Sequence, residues 1–151
     1  MKMKSIAENR KARHLYEIID TIEAGIELRG TEVKSLHSHM VNMTDAFCRG
    51  IKGEIWLMNL HISPYVFGNL FNHDPLRERR LLLHKKEALR WASQSEQRGL
   101  TIVPLRIYFN DKGRAKVEIA LVKPKKVYDR RQEIQDREQE RELQRVHKYH
   151  E

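Results

Sequence analysis

A chain of 151 residues, 40% of them hydrophobic, is long enough for one domain with a real core and an appendage. Its 29 Lys and Arg against 21 Asp and Glu leave a net charge of +8, which favours a polyanionic partner. Nucleic acid ranks above membrane, because no apolar run approaches the roughly 20 residues of a spanning helix and "MKMKSIAENRKAR" lacks an apolar signal core. A soluble, cytoplasmic protein is expected. The single cysteine, Cys48, excludes an internal disulfide and a cysteine-rich zinc site, and core packing is its expected use.

In chain order, "ENRKARHLYEIID" opens with Arg10, Lys11 and Arg13 and passes into an alternating apolar segment, so the cations load what reads as a strand entrance. "HLYEIIDTIEAGIEL" predicts two strands meeting at a turn or bulge near Ala24 and Gly25. "TEVKSLHSHMV" carries Val33, Leu36 and Met40 at helical spacing after Thr31, an expected N-cap, and predicts a short helix. "DAFCRGIKGEIWLMNLHI" holds two short strands around the turn signal Gly50 to Gly53. "HKKEALRWASQSEQRG" predicts the longest helix, with Leu89 and Ala92 on its apolar stripe and Gly99 as the residue after its end. "LTIVPLRIYF", the turn "NDKG" and "RAKVEIALV" predict a hairpin of β-branched strands. Five or six strands with one or two inserted helices suit a mostly β, Greek-key barrel of the OB type.

Composition then shifts near Lys123. From there to Glu151 only Val127, Tyr128, Ile134, Leu143, Val146 and Tyr149 interrupt charged sequence, so residues 1–122 are expected to form the domain and 123–151 a basic tail. The tail has helix-supporting pairs, Glu133 with Arg137 and Glu142 with Arg145, each contributing a few tenths of a kcal/mol. Leu143, Val146 and Tyr149 fall on one side of a helix and Ile134 on another, so no single stripe exists for docking. Disorder until a partner orders it is expected. As a helix the tail would span about 40 Å, and fully extended roughly 95 Å.

Signs of catalysis are lacking. His37 and His39 stand two apart on a predicted helix and so on different faces, and no Cys/His quartet or His-Glu-x-x-His occurs, which argues against a metal site. Glu23, Glu54 and Asp74 have no spacing that forces two carboxylates together, and neither a phosphate loop nor a nucleophile elbow is present. No enzyme and no cofactor are expected. Three clusters instead mix cations with planar side chains or repeat cations densely. They are Arg10, Lys11, Arg13, His14 and Tyr16; the run Arg77, Arg79, Arg80, Lys85, Lys86 and Arg90; and Lys123, Lys125, Lys126, Tyr128, Arg130 and Arg131. Cations pair with phosphates while aromatic rings stack on bases, so RNA binding is the reading that covers all three. A generic OB-fold RNA-binding translation factor or ribosomal protein is an alternative that composition and architecture alone permit, and a free tail of this length argues against it. A metal-dependent nuclease is disfavoured for want of a ligand set.

The blocks "ENRKARHLYEI", "EAGIELRGTEVKSL", "GEIWLMNLHISPY", "GNLFNHDPLRERRLLLHKKE", "GLTIVPLRIYF" and "GRAKVEIALVKPKKVYDRR" resemble, in order and spacing, the signature blocks of the small protein B (SmpB) family of bacterial SsrA-binding proteins. The likeness runs from Glu8 to Arg131. It implies an OB-type barrel with added helices and a tail unstructured in the free protein. It further implies binding to transfer-messenger RNA (SsrA RNA, tmRNA), delivery of that RNA to stalled 70S ribosomes for trans-translation, and association with elongation factor Tu through the aminoacylated RNA. The resemblance assigns Asn9, Arg10, Lys11, Arg13, His14, Tyr16 and Glu23 to the surface that holds the tRNA-like domain near its elbow. It assigns Lys123, Lys125, Lys126, Tyr128, Asp129, Arg130, Arg131, Arg137 and Val146 to contacts with 16S rRNA at the decoding centre and in the mRNA channel, where the tail becomes helical. Arg130 stands where that family usually has lysine, Pro124 where glycine is common, and His147 where an apolar residue is usual.

Overall fold

The computed structural model describes residues 4–68, 72–97 and 99–125. The chain enters through strand β1 (Lys4–Glu8) and turns at once into helix α1 (Arg10–Leu15). The cations therefore ride a helix and not a strand entrance. Two local features set this: the Asn9 Oδ1 accepts from the Ala12 amide at 3.2 Å, satisfying a free N–H of the first turn, and the apolar alternation begins only after Leu15.

Strand β2 (Tyr16–Ile26) runs unbroken through Ala24 and Gly25, where two strands were expected to meet. Its register shift lies between Ile18 and Asp20 instead. Gly25 serves a close approach and not a turn. It pairs with Lys116 on one side and Leu82 on the other, and a side chain added there would stand 3.1 Å from the Leu82 Cβ.

Helix α2 (Gly30–His37) forms as the pattern predicts, but Thr31 is not its cap. The turn closes through Glu32, whose Oε1 accepts from the Arg29 amide at 2.7 Å, while the Thr31 hydroxyl meets His73 Nδ1 at 2.8 Å. Strands β3 (Val41–Asn42), β4 (Phe47–Ile51), β5 (Glu54–Met58), β6 (His61–Ile62) and β7 (Arg79–Leu82) follow, with β4 and β5 joined through Lys52 and Gly53, both at positive φ. In helix α3 (Lys85–Gln97) the buried stripe is Ala88, Trp91 and Ala92, at three- and four-residue spacing, and Leu89 is left 48% exposed against expectation. Gly50 admits α3 to the barrel wall, since a Cβ there would lie 2.8 Å from the Ala92 Cβ. Gly99, just beyond the helix, takes a φ of 63° as expected of a chain reversal at that end. Strands β8 (Thr101–Phe109) and β9 (Ala115–Pro124) make the expected hairpin.

All the sheet pairings are antiparallel. Strands β8, β4, β5, β7, β2 and β9 neighbour one another in turn and β9 returns to β8, so the sheet closes into a barrel of Greek-key order. β1 fills the edge of β8 that β4 leaves open, and β3 and β6 pair apart from the barrel. This is the mostly β, OB-type architecture that the sequence predicts.

The interior holds Ile55, Leu57, Leu81, Ile102, Ile107, Val117, Ile119 and Leu121, with Cys48 among them. Burial pushes the Cys48 thiol far up, which suits inert packing. Glu32 is completely buried between α2 and the chain before β7, and it accepts from Arg77 and Arg79, each at 2.5 Å. Burial opposes its charge, but the bonds from Arg77, the Arg29 amide and Arg79 outweigh burial and hold its carboxyl below the usual range. Arg79 also donates to the Leu60 and Pro75 carbonyls, so one buried cation fixes the course of the chain into β7.

A second apolar cluster decides where the site lies. Val103, Leu105, Ala120 and Val122 project from the outer face of β8 and β9, and Ala12 and Tyr16 close over them. A six-residue helix cannot sustain itself in water, so α1 exists because this patch and Asn9 hold it.

Candidate nucleic acid interface

Asn9 is the pivot of α1. Its backbone amide donates to the Leu105 carbonyl at 2.7 Å, its Nδ2 donates to the Pro104 carbonyl at 3.2 Å, and the residue is only 7% exposed. Of the seven residues assigned to the RNA surface, it is thus the one turned inward. Arg10, Lys11, Arg13 and His14 are exposed, and Tyr16 is half-buried.

Helical spacing splits these side chains between two grooves. Arg10, Arg13 and His14, at positions i, i+3 and i+4, line a groove of about 620 Å³ with Glu8, Arg106 and Glu118. Lys11 and Tyr16 line another of about 310 Å³ with Leu15, Thr44, Asp45 and Phe47. What reads in sequence as one patch is a cationic ridge with two flanks.

Glu23 lies further along the same outer face of the barrel. Its register partner is Glu118, whose own partner on β8 is Arg106. The exposed Glu23 carboxylate accepts a hydrogen bond from the Tyr108 hydroxyl. Burial first, and then that bond and the Glu23 charge, push the Tyr108 phenol far up. The Arg106 guanidinium lies 4.8 Å above the Tyr108 ring and pairs with Glu118 at 3.3 Å. On the other side of Glu23, Lys116, Leu82, Leu83, His84 and Glu87 surround a hollow of about 410 Å³, with Leu82 half-exposed.

Arg106, Tyr108, Lys116 and Leu82 were missed from sequence. The signal was there in part: alternation along "LRIYF" and "RAKVEIALV" puts Arg106 with Tyr108, and Lys116 with Glu118, on the outward faces of paired strands. That Glu23 joins them depends on the pairing of β2 with β9, which local pattern does not reveal.

The second cationic cluster does not form a patch. Arg77 and Arg79 are spent on the buried Glu32, and Arg80 pairs with Glu27 at 3.2 Å and Glu54 at 3.4 Å. Lys85, Lys86 and Arg90 remain exposed on α3. Of the third cluster, Lys123 and Pro124 complete β9, where Pro124 pairs with Tyr16 and Lys123 with Glu17, and the Lys125 amide donates to the Leu15 carbonyl at 3.1 Å. The last strand therefore runs two residues past residue 122, to Pro124. Lys126, Tyr128, Asp129, Arg130, Arg131, Arg137 and Val146 lie outside the described residues, as does the expected disorder or helicity of the tail.

Among the described residues no group of three or more His, Cys, Asp or Glu is placed to hold a metal ion. His37 stacks on Phe109 at 4.2 Å, His39 meets the Ile6 carbonyl at 3.2 Å from a positive φ beyond α2, and His73 is buried between Thr31 and the Ile62 carbonyl. No helix among the described residues is long and apolar enough to cross a membrane.

The family model described as "SmpB protein" matches residues 6–149. The SsrA-binding protein of Desulforudis audaxviator is 54% identical over 143 residues, covering 95% of this chain and 93% of the relative. That of Pseudothermotoga lettingae is 56% identical over 147 residues, covering 97% and 99%. A solved chain described as "tmRNA-SmpB: a journey to the center of the bacterial ribosome" shares 55% identity at a TM-score of 0.67, over 80% of this chain and 85% of the other. The motif blocks, the closed barrel and nearly full-length identity above one half agree on one assignment, and the chain belongs to the SmpB family.

Proposed function

We propose that this chain binds SsrA RNA (tmRNA) through the face made by α1, β2, β8 and β9, and brings it to stalled ribosomes for trans-translation. The observation that carries this reading is the seating of α1: a buried Asn9 and Ala12 fix a helix too short to stand alone, and its free surface displays Arg10, Lys11, Arg13 and His14. Phosphate contacts of this kind position an RNA, and the neighbouring planar groups, His14 and Tyr16, suit the unstacked bases of loops such as those at a tRNA elbow. The role is binding and not catalysis, the working place is the cytoplasm, and elongation factor Tu joins through the aminoacylated RNA.

In this reading residues 4–125 grip the tRNA-like domain and the remaining tail, with Lys126, Tyr128, Asp129, Arg130, Arg131, Arg137 and Val146, addresses 16S rRNA in the mRNA channel. Message in that channel would occupy the same groove with like-charged backbone, so the tail would settle only where message is absent. Gel-shift titration of SsrA RNA against an ordinary tRNA tests the proposal. A clear preference for SsrA RNA at physiological salt is expected, and equal binding of the two would refute it.

A further inference from the structure

Arg106 sits at the foot of the groove flanked by Arg10 and Arg13, in a setting that an internal ion pair alone does not explain. Its Nη2 pairs with Glu118 at 3.3 Å, its guanidinium lies over the Tyr108 ring at 4.8 Å from the centroid, and its Nε is buried without a partner. The side chain is nevertheless 31% exposed and lines the groove. An arginine serving only Glu118 would gain by turning both nitrogens of one edge to the carboxylate, and here Nη2 pairs with it while Nε does not. The ring is fixed in its turn, because the Tyr108 hydroxyl donates to Glu23.

We propose that Arg106 is a phosphate-binding residue of the RNA interface, and that Tyr108 and Glu23 are its positioning residues. The inference rests on the reading of this face as the RNA surface. Glu23 then serves RNA binding from behind: it anchors Tyr108, Tyr108 carries the guanidinium, and Glu118 sets its rotation. This resolves how an acid belongs on a surface for a polyanion. Facing RNA directly it would repel phosphates, whereas bonded to Tyr108 it orients a cation. The groove, of about 620 Å³, opens to the surface. Its two carboxylates, Glu8 and Glu118, are set against Arg10, Arg13 and Arg106, and Glu118 is already paired. A planar fork held at a fixed tilt matches phosphate geometry better than a mobile ammonium.

Filter-binding of the full chain to SsrA RNA across a salt series tests this. Arg106→Gln is expected to weaken binding at least about tenfold and to flatten the slope of log K against log salt by about 0.9, one phosphate contact. An unchanged slope overturns the role of Arg106. Should the glutamine variant fail to fold by circular dichroism, Arg106→Lys keeps the charge and loses the fork. It is expected to lower affinity with the slope kept, and wild-type affinity would overturn the proposal. For the positioning residues, Glu23→Ala and Tyr108→Phe are combined in a double-mutant cycle. Action through the tyrosine makes the double variant bind as Tyr108→Phe alone does, and additive losses would mean that Glu23 meets the RNA itself. Failure of the inference is separable from failure of the wider reading, since the latter shows as wild-type protein binding ordinary tRNA as well as SsrA RNA.

Discussion

Replacing Asn9 by Ala separates seating the helix from touching RNA. The substitution removes the Oδ1 cap on the Ala12 amide, a loss of about 1 kcal/mol, and the buried bond from Nδ2 to the Pro104 carbonyl, about another 1 kcal/mol. With the small void left at a 7% exposed position, the sum is about 2–3 kcal/mol. That is survivable for a domain of ordinary stability, about 5–15 kcal/mol, so the barrel stays folded while α1 frays. RNA affinity then falls with it, because Arg10, Lys11 and Arg13 no longer stand in fixed places. Asn9→Asp keeps the cap acceptor but turns a carboxylate oxygen toward the Pro104 carbonyl at a buried position, so it should lose at least as much stability as Asn9→Ala. Urea unfolding followed by circular dichroism gives the first quantity and filter binding the second. Stability within about 0.5 kcal/mol of wild type together with lost RNA binding would mean that Asn9 meets RNA directly. Lost stability with intact binding would remove α1 from the interface.

The remaining predictions address the grip, the clamp and the tail. Arg13→Ala should weaken SsrA RNA binding and flatten its salt dependence by about 0.9 in slope, whereas Tyr16→Ala should weaken it with the slope nearly unchanged, since stacking releases few ions. Equal slopes for Arg13→Ala and wild type would exclude a phosphate contact. Glu32→Gln should cost about 3–5 kcal/mol at neutral pH by leaving Arg77 and Arg79 without their counter-charge. Because the folded Glu32 is held below its ordinary value of 4.5, its contribution is complete above that value and disappears as pH falls through the lowered one. The acid dependence of unfolding should accordingly shrink in the variant, and an identical profile would count against the clamp. Ending the chain after Lys125 should leave SsrA RNA affinity within about tenfold, about 1.4 kcal/mol, while peptide tagging in a purified translation system stops. Retained tagging would dismiss the tail from ribosome recognition.

The elements that were legible are those whose signal is local. The β8 and β9 hairpin, the β4 and β5 hairpin and α3 announce themselves through alternation, glycines at turns and helical spacing. Helix α1 was hidden because six residues with one buried member, Ala12, show no periodicity, and its existence depends on a patch contributed by Val103, Leu105, Ala120 and Val122. The charges on "PLRERR" misled for the same reason. Arg77 and Arg79 look like free cations until Glu32, 45 and 47 residues away, is brought against them. Glu23 could be named from the family motif, but the neighbour that explains it, Tyr108, lies 85 residues off and arrives only with the pairing of β2, β9 and β8.

The long-range pairing that hid the site also fixes its geometry. Tyr16 opens β2 at the end of α1 and pairs with Pro124, and the Lys125 amide bonds to the Leu15 carbonyl, so the last strand of the barrel is fastened to the end of the cationic helix. Pro124 restricts the backbone at that place further. The join between α1 and the end of β9 is direct, made by backbone pairing of Tyr16 with Pro124 and of Leu15 with Lys125. In the proposed reading, an RNA phosphate held by Arg13 and the chain at Lys125 share one hydrogen-bonded frame. A protein that had to couple a grip on one RNA to a probe of another site would need such a frame, since slack between them would let the tail explore while the RNA stayed misaligned.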